Sequence, residues 1–493
     1  MYKRQIGGGS SITGSLSYLG GLAGYNQGLI QDCIEQTESV VVQGIKSSCV
    51  GGAVGYNGDE GRTANVSVGI ADSTQESKNW SIVNSQNTAH EFGTGGIIGN
   101  NVSRCDQSGL TNHASVKTDQ YYVGGIIGIQ ANRISQGTLI SDCRNTGSVY
   151  TSRYGAGGII GFLRDYGVTV RGCVNQGKVT ADCSRDTAYR ARAAGILGDA
   201  WTNMADMQIT IMNCGNEGII DTGMSGSPYA AGIFSYVNAV SASQVTLSDC
   251  YNAGVVKNST DGGGIVSNLN GNMSVTLIRC VNYGSGLNPS GDFSGITGRT
   301  KAVMEHCFGV GKADYPLART NKSMGSLNYY FGYGNVSSAS GGKRLAYPSG
   351  WDSSGWGSLS NVNKKLNGFD LTFSSNPAAG KIYDNASTAQ QLQTAANKIK
   401  DICKAPIEKY FAQYYGAVTL GEPQNFGAKA NGDTYTASWS RGTNGDRVYY
   451  YELKLYRAGE TEPVKVVQVP KNQFSAEFSI DRAWPVSYTH LTL

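Results

Sequence analysis

The chain has 493 residues, more than one hydrophobic core usually supports, so two or more domains are expected. Its 68 glycines and 10 prolines follow no G-X-Y period and only 15% of residues are charged, which excludes collagen and a charge-rich disordered chain. A net charge of +4 is mild, the densest basic stretch (Arg185, Arg190, Arg192) lacks the clustering of a nucleic-acid footprint, and no run reaches the roughly eighteen apolar residues of a membrane helix.

The start, MYKRQIGGGS, has no apolar core and does not read as a signal peptide. From residue 20 a small apolar phrase recurs: GGLAG at 20, GGIIG at 95, 124 and 157, AGILG at 194, AGIFS at 231 and GGIVS at 263. A second phrase, C-x-N-x-G, alternates with it: Cys143-x-Asn145, Cys173-x-Asn175, Cys214-x-Asn216, Cys250-x-Asn252 and Cys280-x-Asn282, with looser copies starting at Cys33, Ser85, Cys105 and Cys307. Together they mark nine units whose second glycines lie 31, 44, 29, 33, 37, 37, 32 and 31 residues apart. Such tolerant spacing predicts short constant strands joined by loops of variable length.

Within units, Val245 and Leu247, Val275 and Leu277, Ile209 and Ile211, and Val168 and Val170 alternate with polar residues, the period of a half-buried strand. The same parity carries through Asn175 and Gly177 to Val179, which predicts about three strands per unit. Three short strands cannot bury their own apolar edge, but stacked units can pair each strand in parallel with its counterpart. The reading is mainly β: a right-handed parallel β-helix solenoid of about nine coils over residues 20–313, roughly 40 Å long at the spacing of paired strands. Leucine-rich repeats would need leucine at fixed offsets, and propeller blades a longer, more regular period.

Eight of the 11 cysteines occupy the repeat position, leaving Cys49, Cys183 and Cys403 elsewhere. No C-x-x-C pair suggests zinc, and Ser85 in one copy reads as a slot for a small side chain, so Cys143, Cys173, Cys214, Cys250 and Cys280 are assigned to a reduced, buried structural ladder. Asn145, Asn175, Asn216, Asn252 and Asn282 are assigned to a second ladder, because stacked amides can donate to one another. No catalytic, cofactor or metal residue is assigned. Gly172–Lys178 has the outline of a phosphate loop but continues into Val179 and is one copy of the repeat, and His90-Glu91 lacks a second histidine.

Residues 1–19 form an N-terminal fragment and 314–420 a small mixed α/β cap and linker. Tyr329, Tyr330, Phe331, Tyr333, Tyr347, Trp351 and Trp356 are expected to cover the end of the rod. Ser387–Gln390 has capping-box form, Leu392, Ala395, Ile399 and Ile402 recur at helical spacing, and Pro406 is expected to open a second short helix to Gly416. Residues 421–485, with Trp439 in one strand and alternating Tyr449, Tyr451, Leu453 and Leu455 in the next, resemble a fibronectin type III module of which about five strands can be fitted, an incomplete β-sandwich. MYKRQ (1–5) and VSYTHLTL (486–493) look like translated adapter read-through at the ends of a gene from a short metagenomic contig.

The paired phrases resemble the GLUG-type repeats of large bacterial surface proteins, apart from Ser85 and from Gly309 in place of asparagine in the last unit. The resemblance implies an extracellular protein, secreted or on the cell surface of a bacterium, often gut-dwelling, with the rod as stalk or adhesive surface. The function expected is therefore a non-enzymatic, adhesin-like interaction protein: a monomeric rod whose loops, foremost the insert between Gly52 and Ser85 and the stretch Asp182 to Arg192, meet a host glycan, mucin or matrix protein. The alternative is the substrate-binding region of an extracellular peptidase or glycan-active hydrolase whose catalytic domain lies elsewhere. No nucleic-acid partner, membrane span or cofactor is expected.

Overall fold

The computed structural model describes residues 10–15, 18–34, 40–45, 48–69, 81–85, 91–119, 121–132, 138–165, 167–185, 190–203, 207–223, 228–288, 293–319, 328–330, 343–344, 364–366, 369–371, 386–416, 421–431, 434–443, 450–457, 463–470, 474–479 and 486–492. The chain forms two compact units, Met1–Val362 with Ser374–Cys403, and Asn363–Phe373 with Lys404–Leu493.

The first unit is a parallel β-solenoid. Its fifth repeat shows the plan, with strands at Gly155–Gly157, Ile160–Asp165, Val168–Arg171, Val174–Asn175 and Val179–Ala181. Each pairs in parallel with the matching strand one repeat on, Ala156 with Ala193, Ile160 with Leu197, Val170 with Ile211, Asn175 with Asn216 and Val179 with Ile220. Five short strands per coil replace the expected three, because two sharp bends divide the phrases. One is the Gly157–Gly158 turn. The other is a left-handed residue before each cysteine position, at Asp32, Asn65, Gly109, Asp142, Gly172, Asn213, Asp249, Arg279 and His306, with φ between 50 and 64°. Gly, Asp, Asn and, less often, His adopt this conformation, whereas Arg279 holds it at a cost of about 1–2 kcal/mol.

Among the described residues one face is a nine-stranded parallel sheet and a second has seven strands; the third and largest carries the remaining solenoid strands. The nine sequence repeats thus give about seven coils with strands on every face. The eighth and ninth continue the second face through isolated bridges, Ala231 to Gly263 and Gly263 to Ser294. Ile126, Ile127, Ile159, Ile160, Val170, Val179, Ile196 and their counterparts are fully buried in one continuous core, each stabilising the fold by about 1.5–3 kcal/mol against exposure. Tyr329 and Tyr330 are buried and extend the largest sheet beyond Phe308–Gly309. The other aromatics assigned to the cap, Phe331, Tyr333, Tyr347, Trp351 and Trp356, lie outside the described residues.

One continuous helix, Ala389–Gly416, runs through Pro406, where two helices had been expected. Proline removes one hydrogen bond there without ending the helix, and Ile407, Tyr410 and Phe411 beyond it are buried. The capping box sits one residue later than the sequence pattern placed it. The Gln391 N–H donates to Thr388 Oγ1 (3.2 Å) and Gln391 Oε1 accepts from the Thr388 N–H (3.1 Å). In the first unit the helix lies along the side of the solenoid: Gln393 Nε2 donates to Ala253 O (2.7 Å), its Oε1 accepts from Val255 N–H (3.2 Å), and Lys400 pairs with Glu217 (2.7 Å).

The second unit holds a short hairpin, Lys364–Leu366 with Phe369–Leu371, and two three-stranded antiparallel sheets. Gln424–Asn431, Thr434–Ser440 and Ser475–Ser479 form one sheet; Pro463–Pro470, Tyr450–Arg457 and Val486–Thr492 form the other. Buried Trp439 from the first and Tyr451 from the second meet edge to face at 5.3 Å. Among the described residues five strands lie within residues 421–485, the number fitted from the sequence, and a sixth follows them. The sixth is the C-terminal stretch expected to lie outside the fold; its alternating VSYTHLT pairs along the open edge of Tyr450–Arg457.

The repeated glycines answer to space. A Cβ on the second glycine of the turn, at Gly96, Gly125, Gly158, Gly195, Gly232 or Gly264, would come within 3.0 Å of the next coil's backbone carbonyl and of the asparagine side chain of its own coil. Neither can move easily, because the carbonyl belongs to the backbone of the next stacked coil and the amide is tied into a buried row. Gly158→Ala is therefore expected to cost about 3 kcal/mol or more, read as a lower urea midpoint or failure to fold, whereas Gly28→Ala, with open space around it, should be near neutral.

Candidate functional site

The strand register aligns Cys33, Val66, Leu110, Cys143, Cys173, Cys214, Cys250, Cys280 and Cys307 in one inward row. Ser85 and Cys105 do not belong to it. Ser85 lies in a strand of the nine-stranded face, paired with Ile45, and half-buried Cys105 lies before the strand Gln107–Ser108. The slot asks for apolar volume that Val, Leu or Cys can supply, so a cysteine in the sequence is not a sufficient marker for it. Cys143, Cys173, Cys214, Cys250 and Cys280 are at most 1% exposed, and all eleven cysteines are free thiols. Each ladder thiol points at the carbonyl two residues earlier, as Cys143 to Ser141 O at 3.2 Å and Cys214 to Met212 O at 3.2 Å. Burial pushes the Cys173, Cys250 and Cys307 thiols well up, which keeps them protonated.

Two residues on, Asn112, Asn145, Asn175, Asn216, Asn252 and Asn282 form a continuous row in which every Nδ2 donates to the next Oδ1 at 2.8 Å. Each Nδ2 also donates within its own turn, as Asn145 to Gly147 O (2.9 Å) and Asn175 to Gly177 O (2.9 Å). A second row was missed from the sequence. Asn26 donates to Asn57 (2.8 Å), Asn57 to Asn101 (2.8 Å) and Asn101 to Gln130 (2.7 Å). Tyr-Asn at 25–26 and 56–57 and Asn-Asn at 100–101, each at the same distance after the glycine turn, were its signal.

Neither row meets solvent, so the chemistry available to a partner lies elsewhere. The Gly-Gly turn brings together residues seven apart in sequence, one on each of two faces: Tyr18 with Tyr25, Gly93 with Asn100, Arg192 with Asp199, Tyr229 with Tyr236. In the middle coils this corner becomes an arginine–tyrosine cluster. Arg192 Nη1 donates to Asp199 Oδ2 at 2.5 Å, and its guanidinium covers the Tyr236 ring at 3.8 Å and the Tyr154 ring at 5.1 Å. Tyr229 stacks on Tyr236 at 5.3 Å, and the exposed Arg190 donates to the Tyr229 hydroxyl. Tyr122 stacks on Phe162 at 3.9 Å and shares a hydroxyl hydrogen bond with Tyr154 (2.9 Å). The intervening Gly155 leaves room for the Tyr122 ring, which a Cβ there would strike.

Asp199 is fully buried, and burial raises its carboxyl despite the Arg192 charge; it anchors Arg192 and presents nothing outward. The arginine stretch marked from the sequence is accordingly tied down, Arg185 on Asp119 (2.7 Å), Arg190 on Tyr229 and Arg192 on Asp199. Among the described residues of the stretch and its cluster, Arg185 and Arg190 are exposed, and the edge of half-buried Tyr236 and part of Arg192 also face solvent. Guanidinium and phenol groups in that setting donate hydrogen bonds to hydroxylated or anionic partners. Residues 186–189 of this stretch, and 70–80 of the insert between Gly52 and Ser85, lie outside the described residues. Among the described residues no three His, Cys, Asp or Glu side chains gather into a metal-binding group.

Two carboxylates elsewhere respond to pH in opposite senses. Burial pushes Asp249 up to about 6 against the pull of its partner Arg279. Glu217 is half-buried, and hydrogen bonds from Lys400, Gln176 and Tyr251 outweigh that burial and hold it at about 2.

No protein-family model matches the chain, and no curated protein matches it. Among solved structures, the chain is similar to a candidate immunoglobulin A1 protease from Bacteroides ovatus, with 16% identity, a TM-score of 0.29, and coverage of 61% of this chain and 81% of that one.

Removing one amide from the middle of the long row breaks two ladder bonds and leaves Asn216 Oδ1 without its strong donor. Asn175→Ala is expected to cost about 2–4 kcal/mol in urea unfolding, several times the cost of removing the exposed Gln176 amide as Gln176→Ala. The Asp249 carboxyl titrates higher folded than unfolded, so its contribution is present at acid pH and is lost as pH rises from about 4 through about 6. Asp249→Asn, which suits the left-handed φ of 54°, should remove that loss: more stable than wild type at pH 7, by up to about 3 kcal/mol, with the two unfolding curves converging near pH 4.

Proposed function

We propose that the chain is a non-enzymatic interaction protein of a bacterial cell surface or secretome, a monomeric rod that presents variable loops and the arginine–tyrosine rim to a host glycan, mucin or matrix protein. The observation that carries this reading is where the chain allows change in length. At the glycine turn every coil takes the same step, Gly51 to Val54, Gly95 to Ile98, Gly124 to Ile127, Gly157 to Ile160 and Ala194 to Leu197. At two other corners the length varies freely: Asp165 to Val168 against Asn132 to Thr138, and Thr151 to Gly155 against Ala181 to Arg192. Strand register persists across all of them. A scaffold that keeps its core constant and varies two rows of loops suits recognition, which needs surface diversity on a rigid frame. The sandwich of the second unit, with its fibronectin-like pattern, serves in this reading as a spacer.

Binding to a panel of mucin, glycosaminoglycan, neutral glycans and matrix proteins tests it. Arg190→Ala, and separately a short Gly/Ser loop replacing residues 184–190, should weaken attachment to the ligand found by about tenfold or more, about 1.4 kcal/mol, while the melting temperature moves by no more than about 2 °C. Undiminished binding by both variants, or no binding to any member of the panel, would make the rod a spacer instead.

A further inference from the structure

The position after each ladder asparagine, and the one two further on, point away from the solenoid core. In the fourth and fifth repeats they hold Thr146 and Ser148, then Gln176 and Lys178, of which Ser148, Gln176 and Lys178 are exposed. From the seventh repeat on they change character. Ala253 and Val255, Tyr283 and Ser285, and then Val310 are all at most 2% exposed. An outward flank with core-like burial needs a cover, and at the seventh repeat the helix lies against it. Gln393 bonds to the main chain on both sides of Gly254, at Ala253 O and Val255 N–H. Seven residues along the same helix face, Lys400 reaches Glu217 in the preceding coil. Between and around them Leu392, Ala395, Ala396, Ile399 and Cys403 are buried, the i, i+3, i+4, i+7 set of a helix laid into a groove.

We propose that the flank of the seventh to ninth repeats is a helix-docking groove, and that residues 389–403 are the strap that fills it and keeps the last coils closed. Two fasteners set the strap's register. Gln393 recognises the main-chain acceptor and donor on either side of Gly254, and the Lys400–Glu217 pair fixes the position one coil away. The apolar outward residues supply the contact area between them.

The buried thiol row is a built-in reporter, since each cysteine marks its own coil. In the full chain, Ala396→Asp on the buried side of the helix should speed pulse labelling of Cys280 and Cys307 at least tenfold while leaving Cys143 and Cys173 as slow as in wild type; Thr394→Asp on the exposed side should change none of them. Equal acceleration at all four cysteines, or at none, would overturn the proposal. The converse variant acts on the groove. Ala253→Gln with Val255→Lys gives the seventh repeat the residues that the fifth already carries outward, so the coil itself can accommodate them. Deuterium exchange across residues 389–403 should then rise at least tenfold, and unchanged protection there would show that the helix does not depend on this flank.

Discussion

The approach of a glycine column to an asparagine row controls the solenoid's cross-section. In each middle coil the asparagine amide lies where the Cβ of the turn glycine would be, at Gly125 with Asn145, Gly158 with Asn175, Gly195 with Asn216 and Gly232 with Asn252. From Asn145 on, the glycine two residues after the asparagine closes the other side, since a Cβ on Gly177 would meet Gly147 O and the Asn145 amide. Buried amides are costly unless their donors and acceptors are used. Here the enclosure itself aligns them, because glycine-lined walls leave the amide one orientation, with Nδ2 shared between its own turn and the next coil. The two sequence phrases are therefore one structural device seen twice in each turn of the chain.

That device also has a handover. The short row Asn26–Asn57–Asn101–Gln130 serves the first four coils and the long row begins at Asn112, so the third and fourth coils carry both. Val68 occupies the long row's position in the second coil and packs against Gly52; beyond Gln130 the short row's position passes to Leu163, Ala200, Val237 and Leu269. Both positions accept either an amide or an apolar side chain. What the rows forbid is an isolated amide, whose unpaired groups would cost about 1–3 kcal/mol, and this is why the asparagines occur as unbroken runs.

The parts of this fold that were legible in the sequence are those where one physical demand repeats at every coil. Glycine where no Cβ fits, asparagine where amides stack and alternating Ile and Val around them gave the parallel stacking directly. The cysteine position was read too narrowly, because Val66 and Leu110 satisfy the same demand for volume and leave no cysteine to find. The left-handed residue before that position was also readable, since Asp142, Gly172, Asn213 and Asp249 are the types that tolerate it. Arg279 and His306 hide the pattern in the last two coils. The helix course was misread at Pro406, where local propensity argues for a break and burial of Ile407, Tyr410 and Phe411 overrides it.

Outward positions obey no such shared demand, and there the sequence carries information of a different kind. Polar residues at 176 and 178 and apolar ones at 253 and 255 sit in equivalent places, so the difference between repeats, not their likeness, tells which flank is covered. The arginine–tyrosine corner follows the same logic: Arg192 with Asp199 and Tyr229 with Tyr236 share the seven-residue spacing imposed by the glycine turn with Tyr18 and Tyr25 and with Gly93 and Asn100, so the corner keeps its geometry while its side chains change from coil to coil. Because that turn cannot lengthen without driving a side chain or an extra residue into the amide row, whatever it presents is held at fixed geometry. The two loop corners can vary in length and the glycine corner only in side chain, so a partner that engages the rod meets adaptable loops beside a rim of unvarying shape.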